Sequence, residues 1–166
     1  MPEALEREIA DVARETLEKL AFVFAADDLP EAAAGADPAL RVRVAFQGPR
    51  AGALEVALSE AALPELAANM LGVDDPTGLS PDEQTDALRE LANVICGNLL
   101  PRLFGEEAEF AIATPVALRR AEERAAGTEA ADCRLPLESG ACRLRLFLEG
   151  EPPAGRGLAA TQGGGA

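Results

Sequence analysis

Four residues with chemical or packing significance recur at helical spacing in the middle of the chain. Asp86, Glu90, Asn93 and Gly97 follow one another at steps of four, three and four residues. On an α-helical wheel they fall within about 60° of one another. Their common face would present two carboxylates and an amide beside a position without a side chain. Such groups can hold water, accept a proton or pair with a cation, which makes this face the candidate for chemistry.

Asn93, Gly97 and Pro101 are poor residues for helix stability. Asparagine competes for backbone hydrogen bonds, and glycine costs about 1 kcal/mol relative to alanine. Proline removes an N–H and clashes with the preceding turn, which predicts a kink at Pro101. Three such residues in one stretch indicate a surface kept for contact. The alternative is an ordinary solvated helix face, the usual meaning of an isolated Glu-x-x-Asn.

The composition excludes several kinds of site. The 166 residues include no histidine, tryptophan or tyrosine. Ser-His-Asp and Cys-His catalysis and His-ligated zinc are therefore excluded, and a stacking platform for bases or sugars is disfavoured. The 29 acidic and 15 basic residues give a formal net charge of −14, so we expect binding to neither nucleic acid nor a membrane surface.

The sequence predicts a cytoplasmic protein. Its first residues are charged and lack the apolar region of a signal peptide, and no apolar run reaches the roughly 18–20 residues needed to cross a bilayer. The cysteines are Cys96, Cys133 and Cys142, without a C-x-x-C motif. Reduced core thiols are favoured over a disulfide between Cys133 and Cys142.

Hydrophobic patterning predicts the elements that must position the candidate face. Helices are expected at 2–26, 60–71 and 80–104, and the third begins with a capping box formed by Ser80 and Glu83. Strands are expected at 40–46 and 54–58 as a hairpin, at 110–112, at 133–137 and at 142–149. Thr114-Pro115 should bend the chain, and Pro136 should lie on an edge strand or at a strand end.

These elements predict an α+β domain of two layers. An antiparallel-rich sheet would carry the long amphipathic helices on one face. We expect residues 1–150 to form this domain and the Gly/Ala-rich residues 151–166 to be a disordered tail.

The first and third helices repeat part of one pattern. Residues 17–23 align with residues 88–94, and leucine, leucine, alanine and valine coincide. Lys19 then stands at the place of Glu90, and Phe22 at the place of Asn93. A pseudo-duplicated fold would explain this agreement, and chance similarity between two amphipathic helices would explain it as well.

Two weaker patterns have simpler explanations than binding sites. Asp74-Asp75 lacks the alternating oxygen ligands of a calcium loop and predicts a turn. Four arginines could form a basic patch on the outer sheet face, although we favour ordinary solvated strand positions. They are Arg41, Arg43, Arg143 and Arg145.

The motif on the third helix resembles the signature of the CheC/CheX phosphatase family of bacterial chemotaxis, and it is closer to the CheX branch. The family pattern is Asp-x-x-x-Glu-x-x-Asn followed by a Gly-Asn pair. Every position of that pattern is present here, as Asp86, Glu90, Asn93, Gly97 and Asn98. Residues 110–115 also resemble the strand that follows this helix in CheX-like domains. CheC proteins usually carry the motif on both related helices, whereas this chain, like CheX, has one intact copy.

The resemblance implies hydrolysis of the aspartyl phosphate on a response-regulator receiver domain. It assigns Asn93 to orient the attacking water and Glu90 to pair with the receiver's active-site lysine. Asp86, Gly97 and Asn98 would contact the partner. The phosphorylated receiver would supply Mg²⁺, so no cofactor or metal site of the chain's own is expected. An acyl phosphate is already activated and mostly needs positioning and electrostatics, which suits a chain without histidine.

Other interpretations stay open at this point. A non-catalytic module could bind a receiver without hydrolysis, and an adaptor protein could have no receiver partner at all. An acid–base hydrolase using Glu90 and Asp86 would need a deep pocket to raise one carboxyl pKa. CheX relatives pair through their sheets, so the resemblance allows a homodimer, and the sequence does not decide between monomer and dimer.

Overall fold

The sheet is antiparallel throughout the part of the chain that the structure describes. The computed structural model describes residues 2–27, 40–118 and 125–150. Its strands are β1 (Leu40–Gln47), β2 (Gly52–Leu58), β3 (Ala111–Ile112), β4 (Val116–Leu118), β5 (Thr128–Leu137) and β6 (Gly140–Leu148). They follow the order β3-β1-β2-β6-β5, with β4 also paired to β1. The predicted hairpin of β1 and β2 is confirmed, with Val44 opposite Leu54.

Three helices cover one face of this sheet. They are α1 (Pro2–Ala21), α2 (Leu63–Leu71) and α3 (Pro81–Phe104), with a short 3₁₀ turn at Pro76–Gly78. Alternate strand residues such as Val42, Val56 and Leu144 are fully buried and join the apolar sides of the helices in one core. The predicted two-layer α+β fold is confirmed.

The first helix is shorter than its pattern predicts. It ends at Ala21 instead of residue 26, because the following backbone pairs with the edge strand β5. The Ala26 N–H donates to the Pro136 carbonyl at 2.9 Å, and the Glu138 N–H donates to the Phe24 carbonyl at 3.0 Å. These bonds satisfy backbone N–H and carbonyl groups that would pair within the helix if α1 were longer. Pro136 lies on an edge strand, as predicted.

Among the other boundaries, the starts of the second helix and of β5 differ most from the prediction. The second helix begins at Leu63 instead of residue 60, because the Ser59 carbonyl accepts from the N–H groups of both Ala62 and Leu63 in a turn. The strand expected at 133–137 begins earlier, at Thr128. Its first residues include a register shift between Glu129 and Ala131, which interrupts the alternation that the prediction used.

The repeated helix pattern has a structural counterpart. The hairpins β1–β2 and β5–β6 lie side by side, joined through the β2–β6 pair in which Glu55 is opposite Arg145. The helix α1 precedes the first hairpin but packs against β5, and α3 precedes the second hairpin but packs against β1. Leu17 and Leu88, which align in the repeat, are both fully buried. Each helix thus packs on the hairpin that follows the other helix, which is the arrangement expected of a duplicated helix–hairpin unit.

The arginines on the outer sheet face are paired with carboxylates. Glu55 is only 4% exposed, and Arg43 donates to its Oε2 from Nε at 3.0 Å and from Nη2 at 2.8 Å. Arg143 donates from Nε to Asp132 at 2.8 Å, and this bond is the main reason that the pKa of Asp132 is lowered. The four arginines are therefore strand residues of an ion-pair network. They form no free basic patch, and they are also less solvated than the interpretation we favoured implies.

The cysteines and the acidic pair behave as predicted. All three thiols are free, with Cys96 and Cys142 buried and Cys133 half-buried. Burial raises the pKa of Cys96 to about 12, which suits an unreactive core thiol. Asp75 caps the 3₁₀ turn by accepting from the Thr77 N–H at 2.9 Å, so Asp74-Asp75 belongs to a turn, as predicted. Within the described ranges, no helix combines the length and apolar character that crossing a membrane requires.

The domain boundary is outside what the structure tests. The predicted tail at 151–166 lies outside the described residues. The boundary at residue 150 therefore stays a prediction.

Candidate functional site

The helix that carries the motif has a fixed beginning. The Ser80 hydroxyl accepts from the Glu83 N–H at 3.1 Å, and the Glu83 carboxylate accepts from the Ser80 N–H at 3.1 Å. This is the predicted capping box, with Pro81 as the first helical residue. The box determines where α3 starts.

The two faces of α3 are those the wheel predicts. The apolar stripe is at most 1% exposed and consists of Leu88, Leu91, Ala92, Ile95 and Leu99. Asp86, Glu90, Asn93 and Gly97 are all exposed. Burial of the stripe against the sheet therefore directs the polar residues outward, where a partner could reach them.

The exposed face forms one wall of a groove of about 350 Å³. Asp86, Arg89, Glu90 and Asn93 line it from α3. The opposite wall consists of residues 112–115, from the end of β3 to the start of β4, where the predicted break at Thr114-Pro115 is confirmed. Three predicted site residues are thus brought together beside a second chain segment.

Arg89 joins the two walls. Its Nε donates to the Pro115 carbonyl at 3.0 Å, and its Nη1 lies 3.4 Å from Asp86 Oδ1. Arg89 was not among the predicted site residues. Its position three residues after Asp86, on the same side of a helix, was the available signal.

Gly97 and Asn98 lie outside this groove. Gly97 is exposed, and no atom lies within 4 Å of the position that a Cβ would occupy. Asn98 instead lines a separate groove between α1 and α3, together with Glu15, Lys19 and Arg102. Asn98 is one residue beyond the candidate face, and one residue turns a helix by about 100°. The structure therefore does not place Asn98 beside Glu90 and Asn93.

Pro101 lies inside the helix, and the kink predicted there stays a prediction. The helix α3 continues without a break through Pro101 to Phe104, and the Gly105 N–H then donates to the Pro101 carbonyl at 2.9 Å. Proline lies in the last turn, where the loss of one N–H bond affects few helical residues. The predicted end of the helix near Phe104 is confirmed.

The carboxylates are not in the setting of an acid–base hydrolase. Asp86 and Glu90 are both exposed, whereas a general acid of this kind needs burial to raise its pKa. Among the residues described, no three Cys, Asp or Glu side chains are grouped as metal ligands. The groove thus presents an amide, two solvated carboxylates and a braced arginine on an open surface.

The comparisons with known proteins identify the family. The sequence model of the family described as Chemotaxis phosphatase CheX matches residues 40–137, a range that includes α3 and the strands β1 to β5. No curated protein matches the sequence.

Solved structures share the fold. The chemotaxis protein CheX from Vibrio vulnificus is 21% identical, with a TM-score of 0.67 over 87% of this chain and 96% of that chain. CheX from Desulfovibrio desulfuricans is 16% identical, with a TM-score of 0.65 over 88% of this chain and 99% of that chain. A chain of the CheX–CheY–BeF₃–Mg²⁺ complex from Borrelia burgdorferi is 14% identical, with a TM-score of 0.58 over 87% of this chain and 97% of that chain. Since the family match covers more than half of the sequence and includes the motif helix, the chain belongs to the chemotaxis phosphatase CheX family.

Proposed function

We propose that this protein removes the phosphoryl group from the aspartyl phosphate of a response-regulator receiver domain. The observation that carries the proposal is the placement of Glu90 and Asn93 together on the exposed face of α3, beside an open groove. A convex helix with an open flank can enter the active-site cleft of another protein, whereas a small substrate would need a closed pocket. Family membership supports the same reaction class.

In this proposal Asn93 orients the attacking water. A side-chain amide offers both an acceptor oxygen and two donor hydrogens, so it can fix a water molecule in direction as well as in place. In-line attack on an acyl phosphate depends mainly on such positioning, which can contribute a few kcal/mol, that is, roughly a hundredfold in rate or more. Asn93 needs no proton-transfer partner of its own for this role.

Glu90 would pair with a lysine of the receiver. It lies one helical turn from Asn93, and its exposed carboxylate is free to accept a charge-assisted hydrogen bond. Such a pair would fix the register in which the helix enters the receiver. Asp86, one turn further back, and Gly97, one turn forward, would contact the receiver on either side.

The receiver would supply the remaining chemistry. Mg²⁺ and the lysine belong to the receiver's own site in this account, so the protein contributes one amide and one carboxylate. A solved relative of this fold is part of a CheX–CheY–BeF₃–Mg²⁺ complex, which supports a CheY-like receiver as partner. The net charge of −14 would favour approach to a partner surface that carries lysine.

A non-catalytic module that binds a receiver is the second candidate. The exposed groove beside α3 would serve it equally well, because docking needs the same surface. The presence of both Asn93 and Glu90 favours hydrolysis, since binding alone would not require an amide aimed at the phosphate. The homodimer that the family resemblance allows stays a prediction.

Phosphate loss from a receiver panel separates these candidates. The receiver domains encoded in the same genome would each be phosphorylated with acetyl phosphate, and their dephosphorylation followed with Mg²⁺ and substoichiometric protein. We expect at least one receiver to lose phosphate faster than it does alone, with several turnovers for each protein molecule. A sequestering module would leave the rate unchanged or slow it. If no receiver of the panel responds, the proposed activity is wrong.

A further inference from the structure

The groove beside the motif has a second wall, formed by residues 112–115. Ile112 ends β3, and residues 113–115 link it to β4, with the Ala113 N–H donating to the Ala45 carbonyl at 2.9 Å. Proline at 115 has no N–H for the ladder, so this segment lacks the continuous pairing of a strand. Pairing with β1 holds the segment on either side, at Ile112 and at Val116, and a contact with α3 fixes the distance between the two walls of the groove.

Arg89 supplies that contact. Its Nε donates to the Pro115 carbonyl at 3.0 Å, and its Nη1 lies 3.4 Å from Asp86 Oδ1, so the guanidinium is held from both ends. Arginine can do this because its donors form a rigid planar fork, whereas lysine would have one rotating group. The opposite end of the segment is anchored by Phe110, whose ring lies 5.7 Å from that of Phe46 in an edge-to-face arrangement.

The braced wall presents an apolar residue to the groove. Ile112 lines the groove and is 37% exposed. It pairs with Phe46 of β1, whose side chain is buried, so Ile112 lies on the helix-bearing face of the sheet. Any protein surface that brings a phosphoryl group to Asn93 must also approach this wall, because Ile112 and Asn93 line the same groove.

We propose that Arg89 is a positioning residue that holds residues 112–115 against α3, and that Ile112 on this wall is a docking residue for an apolar part of the receiver. The docking part rests on the proposed function, whereas the bracing part does not. Losing the burial of the exposed part of an isoleucine in an interface should weaken binding by about tenfold, which corresponds to about 1.4 kcal/mol. The receiver surface that meets this wall would carry its own apolar residue.

Hydrogen exchange tests the brace without any receiver. The amides of Ala113, Thr114, Val116 and Ala117 should exchange several-fold faster in Arg89→Ala than in the wild type, and Arg89→Lys should restore only part of the protection. Arg102→Ala is the matched control, because Arg102 lies on the same helix but pairs with Glu8 and Glu15 of α1. Equal exchange in Arg89→Ala and Arg102→Ala would overturn the bracing role.

Binding of a receiver loaded with BeF₃⁻ and Mg²⁺ tests the docking residue. Ile112→Ser should raise the Kd, whereas Val116→Ser should not. Val116 is the control because it is exposed but pairs with Arg43, on the outer face of the sheet and away from the groove. If the wild type binds and Ile112→Ser binds equally well, the docking role is wrong while the proposed function stands. If the wild type binds no receiver, the proposed function falls, and hydrogen exchange still decides the role of Arg89.

Discussion

Ser80 and Glu83 cap each other at the start of the motif helix. Each side chain accepts a hydrogen bond from the backbone N–H of the other residue, both at 3.1 Å. The pair lies just ahead of Asp86, so it stabilises the end of α3 that leads into the groove without touching the groove itself. Stability and activity can therefore be separated at this position.

Ser80→Ala should lower the free energy of unfolding by about 1 kcal/mol, because an exposed N-cap hydrogen bond is lost. For a chain of this length the Tm should fall by roughly 2–4 °C. Denaturant unfolding and calorimetry would measure both. Thr85→Ala is the control, since the Thr85 hydroxyl only donates back to the Pro81 carbonyl and alanine is the better helix former. A variant Ser80→Ala as stable as the wild type would contradict the capping role.

Phe22→Gly should stabilise the protein. Phe22 has a φ of +52° at the end of α1, where the Val23 N–H donates to the Leu17 carbonyl at 3.1 Å, and its side chain is 63% exposed. The helix α2 is followed by Gly72, which has a φ of 71°. Glycine is the residue type that adopts this left-handed conformation most readily. Replacing Phe22 with glycine should relieve this strain and raise the free energy of unfolding by up to about 1 kcal/mol. That figure already subtracts the cost of glycine's greater freedom in the unfolded chain.

The matched control is Phe24→Gly. Phe24 is also exposed, but its φ is negative, so glycine there brings only an entropic cost. Thermal unfolding of both variants would give opposite shifts. A lower Tm for Phe22→Gly would mean that the exposed ring makes contacts worth more than the strain.

Gly97→Ala should separate stability from binding. No atom lies within 4 Å of the position that its Cβ would occupy, and alanine is better than glycine inside a helix by about 1 kcal/mol. We therefore expect higher stability. If Gly97 is there to let a receiver approach the helix closely, the same variant should bind a BeF₃⁻-loaded receiver more weakly. A variant that is more stable and binds as well as the wild type would show that this glycine has no role in docking.

Asp132→Asn should lower the free energy of unfolding at neutral pH but not in acid. Arg143 donates to Asp132 and lowers its pKa in the folded protein, so the pair stabilises the fold above the unfolded pKa of about 3.9. This contribution is lost as the pH falls through the lowered folded pKa. Since the pair is partly exposed, we expect less than about 1 kcal/mol at pH 7.

Urea unfolding from pH 3 to pH 8 would measure this difference. The gap between wild type and Asp132→Asn should be constant above about pH 5 and should close towards pH 3. Asp11→Asn removes an exposed pair with Arg14 on α1 and should change stability less. A gap that widens at low pH would contradict the sign of the pKa shift.

The sequence predicted most of what positions the site. Alternation identified β1, β2 and β6, and the apolar stripe of α3 gave the orientation of Glu90 and Asn93 correctly, because burial of one helix face determines where the other points. Ser80 and Glu83 identified the start of α3, since capping is a local interaction. The ion pairs on the outer face follow from the strand register, which places the arginines beside the carboxylates of neighbouring strands.

Local sequence patterns could not predict the contacts between segments that lie far apart in the chain. The end of α1 depends on hydrogen bonds to Pro136 and Glu138, more than a hundred residues away, which outweigh a helical pattern that continues past Ala21. Arg89 was missed because its partner is the Pro115 carbonyl, and backbone acceptors leave no trace in side-chain patterns. Asn98 was assigned with the motif, although one residue along a helix directs it into the groove beside α1.

We propose that Asn93 directs the water that attacks the phosphoryl group. The most direct measurement is the rate of phosphate loss from the responding receiver with wild type and with Asn93→Ala, alongside the Kd of each for the BeF₃⁻-loaded receiver. Asn93→Ala should bind nearly as well as the wild type but lose almost all of the acceleration. Glu90→Ala should lose both binding and rate, whereas Lys19→Ala and Phe22→Ala should change neither. Equal rates with wild type and Asn93→Ala would mean that Asn93 does not direct the attacking water.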